Sequence, residues 1–345
     1  MSLASLFGVD LPIVQAPMAG VQDLALAVAV SNAGGLGSLP CAMLSREQLR
    51  DQVAALASGT RHPFNVNFFV HVPPTPDAAR EARWRAALAP YFSEYGIDAA
   101  AIPAGPGRQP FTAEAADVLD AHRPAVVSFH FGLPPAGLVA RIKSWGSKVI
   151  SSATTVDEAL WLERHGVDAI IAQGVEAGGH RGMFLGDDLT TQAGTLALLP
   201  QIVRAVRVPV IAAGGIADAR GVAAVMALGA AGAQVGTAYL LCPEATTSAV
   251  HRAALASDAS RHTALTNLFT GRPARGIVNR VMRELGPMSD APPAFPLATS
   301  AIAPLRAKAE ARGLGDFSPL WSGQNPSGCK AEPAGRLTRE LAGVA

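Results

Sequence analysis

Cysteine is scarce in this chain. Cys41, Cys242 and Cys329 are the only three in 345 residues, widely spaced and with no C-x-x-C. Such a set builds neither a disulfide framework nor a Cys-rich zinc site, and it points to a reducing, cytoplasmic setting. Aromatic residues make up 6%, so Ala, Val, Leu and Ile must fill the core. An excess of one charge is also missing: 28 Lys and Arg stand against 27 Asp and Glu, a net +1. No field is left that would gather nucleic acid or an acidic membrane. Met1 to Pro12 has no basic stretch followed by an apolar one, so no secretory signal is read there. Residues 222–242 carry no charge and are long enough to span a bilayer, but Gly229, Gly232, Gly236 and Gln234 interrupt them. Helix, glycine turn and buried strand fit that pattern better than a membrane span.

What is present is apolar and periodic: 49% of the chain is hydrophobic. Short apolar runs recur at Ile13 to Met18, Gly35 to Leu39, Phe64 to Phe69, Ala125 to Phe129, Lys148 to Ser152, Asp168 to Ala172, Pro209 to Ala213 and Ala233 to Gly236. Consecutive apolar positions suit parallel strands buried on both faces. Between the runs lie helical patterns at 23–33, 45–56, 112–121, 135–145, 155–165, 195–206 and 217–228. Ser45 with Gln48, and Thr155 with Glu158, have capping-box spacing. Eight β/α alternations give a closed (β/α)8 barrel, the TIM-barrel architecture, more naturally than an open doubly wound sheet, the alternative. Residues 71–111 read as an insertion after the third strand, with one helix at 77–91. The barrel then spans 1–244, and 245–345 form a helical cap over its mouth, with helices at 244–257 and 299–312. Trp321 and the apolar tail serve either an interface or the core of that cap, and the core is the favoured reading.

In such a barrel, chemistry sits at the carboxyl ends of the strands. After the first run come Ala16, Pro17 and Met18, which either let a flat ligand lie on the backbone or make a plain tight turn. Asn65 and Asn67 share one face of the third strand. Their amides await either a heteroaromatic ligand or loop backbone. His130 and His180 end the fourth and sixth strands; each is a candidate base or a satisfied structural histidine. Gly214 and Gly215 after the seventh strand, and Gly236 with Thr237 after the eighth, have the makings of a phosphate cradle, or serve close helix packing. The absences narrow the chemistry further. The four lysines are Lys143, Lys148, Lys308 and Lys330, and Lys148 starts its strand, at the wrong end for a Schiff base. No metal-ligand cluster, G-x-S-x-G or Walker sequence occurs. What remains is a phosphate-anchored cofactor, amides to hold its ring, and a histidine base.

Several of these stretches resemble the class I nitronate monooxygenases, once called 2-nitropropane dioxygenases. They are Gln15 to Met18, Ala33 to Gly37, Phe64 to Phe68, Ser128 to Gly132, Gln173 to Gly182 and Gln234 to Thr237. The tail pieces Thr270 to Arg272, Ala274 to Gly276 and Trp321 to Gln324 match as well, and E-A-G-G-H-R-G is the most specific part. The resemblance implies an FMN-dependent oxidoreductase that converts alkyl nitronates, such as propionate 3-nitronate, and O2 into carbonyl compound and nitrite. It implies FMN binding by Ala16, Pro17, Met18, Asn67, Gln173, Gly178, Gly214, Gly215, Gln234, Val235, Gly236 and Thr237. His180 would be the catalytic base, and His130 would face the substrate. Some relatives carry a lysine after the fifth strand, where this chain reads Ser151-Ser152-Ala153-Thr154. The competing activity is NAD(P)H-dependent reduction of quinones or enoyl thioesters. Partners are then small molecules, with oligomeric state left open.

Overall fold

The structure is a computed structural model that describes residues 2–103 and 108–344. Eight parallel strands form one sheet: β1 (Ile13–Gln15), β2 (Gly37–Pro40), β3 (Phe64–Phe69), β4 (Val126–His130), β5 (Lys148–Ala153), β6 (Ala169–Gln173), β8 (Val210–Ala213) and β9 (Gly232–Val235). Their order is β1-β9-β8-β6-β5-β4-β3-β2. A parallel bridge between Val14 and Leu36 joins the two ends, so the sheet closes into the expected (β/α)8 barrel. A second, three-stranded sheet sets β7 (Gly179–His180) and β10 (Thr263–Thr266) on either side of β11 (Ala274–Ile277).

The pleat sorts each strand between two cores. Val14, Val126, Ile150, Ile171 and Ile211 point into the barrel. Leu39, Val66, Val127, Val149, Ile170 and Val210 pack outward against the helices. Leu3 and Phe7, on the short helix Leu3–Phe7, join the inner cluster and plug the amino end. Gly232 makes room for that plug, since a Cβ there would meet Leu3 Cδ1 at 2.3 Å. The large cavity lies at the opposite, carboxyl end.

The uncharged stretch at 222–242 folds as expected: helix Ala219–Ala227, a turn at Gly229 (φ +97°) and β9. Among the described residues, no helix is long and apolar enough to cross a membrane. The Ser45–Gln48 capping box forms in full. Its expected twin forms by half. Thr155 accepts from the Glu158 amide, but the buried Glu158 carboxylate turns away. It accepts from the Thr154 amide and hydroxyl (2.7 and 2.8 Å) and from the Phe184 amide (2.6 Å). Those donors sit in less exposed surroundings than the helix end and outcompete it.

The regions outside the alternation share one core. Helix Ala78–Tyr95 of the insertion, four residues longer than expected at its end, packs against helix Ala298–Glu310. Trp84, Leu88, Phe92, Ile302, Leu305 and Phe317 fill the space between them. The Trp84 indole N–H donates to the Ala298 carbonyl at 3.0 Å. Residues 104–107 of the insertion lie outside the described residues. The helix expected from Glu244 begins only at Ala249. The Glu244 carboxylate instead accepts the Ala334 amide at the start of helix Ala334–Leu341. That last helix returns to the barrel, where Ala334, Leu337 and Leu341 join the outer core.

Candidate active site

A cavity with about 1340 Å³ of atom-free space, its open mouth included, lies over the carboxyl ends of the strands. Ala16, Pro17, Met18, Asn67, Gln173, Gly178, Gly214, Gly215, Gln234, Gly236 and Thr237 all line it, as do His130 and His180. Val235 does not. Its side chain is buried in the outer core, on the strand face turned away from the ligand side.

Three local networks hold this lining. At β1, the Gln15 amide donates to Gln22 Oε1 (2.7 Å), Gln22 donates to the Ser38 carbonyl (2.7 Å), and Gln22 Oε1 accepts the Met18 amide (2.9 Å). The turn at 16–18 is thereby fixed against β2. At β3, Asn65 is fully buried and donates to the Ser38 and Ser128 hydroxyls (3.0 and 2.9 Å). It serves the barrel interior, whereas Asn67, two residues nearer the rim, reaches the cavity.

The third network holds the loop after β6. Gln173 accepts the Gly182 amide and donates to the His180 carbonyl (2.8 and 3.0 Å). Arg181, wholly buried, donates to the Gly174 and Gln173 carbonyls and to Gln192 (2.7, 2.8 and 3.0 Å). Arg275 grips the Val175 carbonyl at 2.8 Å, and the Glu176 carboxylate accepts the Thr195 amide and hydroxyl. Gly178 has no substitute: a Cβ would sit 2.6 Å from the Gly323 nitrogen. His180 emerges from this scaffold on β7, opposite Ala274 of β11.

One side of the cavity is built for anionic oxygens. Gly214 and Gly215 have φ of +117° and +71°. Among the described residues, the amides of Gly215, Gly236 and Thr237 have no acceptor. The Thr237 hydroxyl accepts from the Gly323 amide (2.9 Å), which leaves its own hydrogen for a ligand. Nearby, Gln234 Oε1 is buried with no donor among the described residues. Open amides call for a phosphate, and an orphaned acceptor calls for an N–H group. FMN carries both, so the residues present fit it.

The other side is lined by Phe69, Trp321 and Arg108, with Phe131, Phe295 and Arg272 packed behind the lining. Phe69, Phe131, Phe295 and Trp321 have ring centroids 5.4–6.1 Å from that of His180. The Arg272 guanidinium stacks on Phe131 at 4.0 Å and Arg108 lies over Phe295 at 5.6 Å. Among the described residues, no carboxylate lines the cavity. Burial pushes the His130 imidazole down to about 4. Burial, with Arg108, His130, Arg272 and His71 nearby, holds His180 well below the usual histidine value. Both are neutral at pH 7. His130 Nε2 faces the His180 carbonyl (3.2 Å) and must donate to it; Nδ1 then accepts from the Ser152 hydroxyl (3.0 Å). With both nitrogens engaged, His130 offers the cavity its ring and braces His180.

Sequence reasoning missed Arg108, because the insertion carries no motif. It gave no cavity role to Gly323 or Asn325, and it favoured the cap core over an interface for Trp321. Trp321 does pack there, but it also walls the cavity. The tail stretch Trp321 to Gln324 was the one signal that could have marked this wall.

The nitronate monooxygenase family matches residues 1–342. A nitronate monooxygenase of Paraburkholderia phytofirmans is 43% identical, over 99% of this chain and 93% of its own length. One from Pseudomonas aeruginosa is 42% identical, over 97% and 96%. The crystal structure of a nitroalkane oxidase from Streptomyces ansochromogenes superposes with a TM-score of 0.90 at 39% identity, covering 99% of this chain and 97% of that one. With a closed barrel, a rim cavity and a full-length match, this chain belongs to the nitronate monooxygenase family.

Proposed function

We propose that this chain oxidises alkyl nitronates with O2 to a carbonyl compound and nitrite, using FMN as its resident cofactor. One observation carries the reading. A neutral imidazole, His180, faces a cavity that has open amides on one side, the Arg108 guanidinium on the other and, among the described residues, no carboxylate. Bound FMN would supply the electron acceptance and oxygen chemistry that no side chain here can. Gly214, Gly215, Gly236 and Thr237 would hold its phosphate. Gln234, Gln173 and Asn67 would meet its ring, and Ala16, Pro17, Met18 and Gly178 would back it. The three free cysteines fit a reducing cytoplasm.

For a neutral nitroalkane, the chain must first remove an α-proton. Neutral His180 takes it. The transfer creates an imidazolium and a nitronate together, so the chamber's net charge does not change. Arg108 and Arg272, which oppose a lone imidazolium, favour the nitronate that forms beside it. The aromatic walls keep water from hydrating that pair and weakening it.

A preformed nitronate needs no base. In His180→Asn, the ratio of nitroalkane to nitronate turnover should fall by about 10²- to 10⁴-fold, the usual worth of a general base. Equal loss of both activities would remove His180 from that role.

A further inference from the structure

His180 has two ring nitrogens, and the structure accounts for one. Nε2 lies 2.9 Å from the hydroxyl of Thr270, a buried residue in the turn before β11. That hydroxyl also lies 3.3 Å from the Arg272 carbonyl and 3.4 Å from the Arg272 amide. Gly271 makes the turn at φ +84° and is wedged against the chain at Pro293, where a Cβ would overlap the carbonyl oxygen at 2.0 Å. Thr270 therefore has little freedom to move away. Nδ1 of His180 has no partner among the described residues, and the ring lines the cavity.

A hydroxyl has one hydrogen and two lone pairs. If Thr270 gives its hydrogen to the Arg272 carbonyl, it can accept from both the Arg272 amide and Nε2–H, and all three contacts are satisfied. If it gives the hydrogen to Nε2, the Arg272 carbonyl loses its donor. The first arrangement satisfies more groups in a buried place, where an unmet acceptor is costly.

We propose that Thr270 is a positioning residue. It accepts from His180 Nε2–H and relays to the Arg272 carbonyl, so Nδ1 is left bare toward the cavity as the nitrogen that takes the substrate proton. This rests on the reading of His180 as the base. The logic is that of any base whose far nitrogen is fixed by an orienting acceptor. When Nδ1 takes a proton, the Nε2–H bond to Thr270 strengthens and shares the new charge. Arg108 in the insertion, His71 after β3, His130 at the end of β4 and Arg272 before β11 all act against that charge. Thr270 is the neutral group that offsets them.

The test uses the holoenzyme with ¹⁵N-labelled histidine, the His180 resonances being assigned with His180→Asn. The wild type should show Nε2 protonated and Nδ1 bare. Thr270→Val should lose that preference, and Thr270→Ser should keep it. In parallel, the ratio of nitroalkane to nitronate turnover should fall about 10-fold in Thr270→Val, less than removal of the base itself, and recover in Thr270→Ser. The acid limb of the nitroalkane pH profile should move to lower pH in the valine variant, because the imidazolium has lost an acceptor. A wild-type imidazole protonated on Nδ1 would overturn the proposal. So would a Thr270→Val variant that loses both activities in proportion, or neither. If the wild type turns over neither compound, the functional reading fails, and the ¹⁵N spectra alone decide whether Thr270 fixes the tautomer.

Discussion

The barrel wall and the arch formed by helices Ala78–Tyr95 and Ala298–Glu310 with Phe317 are both rich in apolar residues, yet they are held together differently. Most barrel strands pair with the next barrel strand in the chain, the β1–β9 pair being the exception, and they are buried on both faces, as at Phe64–Phe69. Such a segment carries its own signal, a short unbroken apolar run between helical patterns. The arch is stitched across the sequence. Trp84 meets Ala298, 214 residues away, and Tyr91 and Tyr95 close on Phe317. Nothing local in either partner announces the other. The rim of the barrel supplies the side of the cavity with the open amides, and the insertion and tail supply Arg108 and Trp321 on the other.

Paired truncations should separate the two cores. Trp84→Ala in the arch should cost about 3–5 kcal/mol of local stability, and Leu162→Ala in the barrel's outer core about 2–5 kcal/mol; both residues are buried. Hydrogen exchange gives the readout. Trp84→Ala should speed exchange in 78–95 and 298–310 while β3 to β6 stay protected. Leu162→Ala should speed both regions, because the arch stands on the barrel. If Trp84→Ala opened the strands to the same degree, the division into two cores would be wrong.

A smaller effect sharpens the comparison, since a strongly depressed histidine can be tested in each region. Burial pushes His130 in the barrel and His251 beside the arch both down to about 4. In the unfolded chain these imidazoles bind a proton near 6.5. Between about pH 6.5 and pH 4 the unfolded state therefore holds more protons, and stability falls as pH drops through that window. Above about pH 7 this contribution is fully present and flat. Each histidine should account for on the order of 1–3 kcal/mol. Urea midpoints of His130→Gln and His251→Gln should each show a shallower acid slope than the wild type. An unchanged slope would mean that neither imidazole is buried neutral.

The same contrast explains how much of the molecule was legible in its sequence. The eight strands, their order and the rim positions follow from local patterns, as do Ala16 to Met18, Gly214, Gly215, Gly236 and Thr237. His180 was legible because two glycines expose it at a strand end. Strand ends were less so: β2 slides from Gly35 to Gly37, because Gly37 must sit against the Ala27 backbone, where a Cβ would meet its carbonyl at 2.0 Å. Val235 lies off the cavity lining because the pleat turns alternate residues of β9 outward. Arg108 and the cavity face of Trp321 depend on long-range docking of the arch. Glu158 shows the limit of a local motif, since capping-box spacing was present but a tertiary set of donors claimed the carboxylate.

The account depends on one chemical preference of the rim cavity. Purified protein mixed anaerobically with a preformed alkyl nitronate, and separately with NADH, tests it most directly through the visible absorbance of bound flavin. The account predicts a rapid spectral change with the nitronate, none with NADH on the same timescale, and nitrite release once O2 is admitted. A flavin reduced by NADH and indifferent to the nitronate, or a protein that holds no flavin, would contradict it.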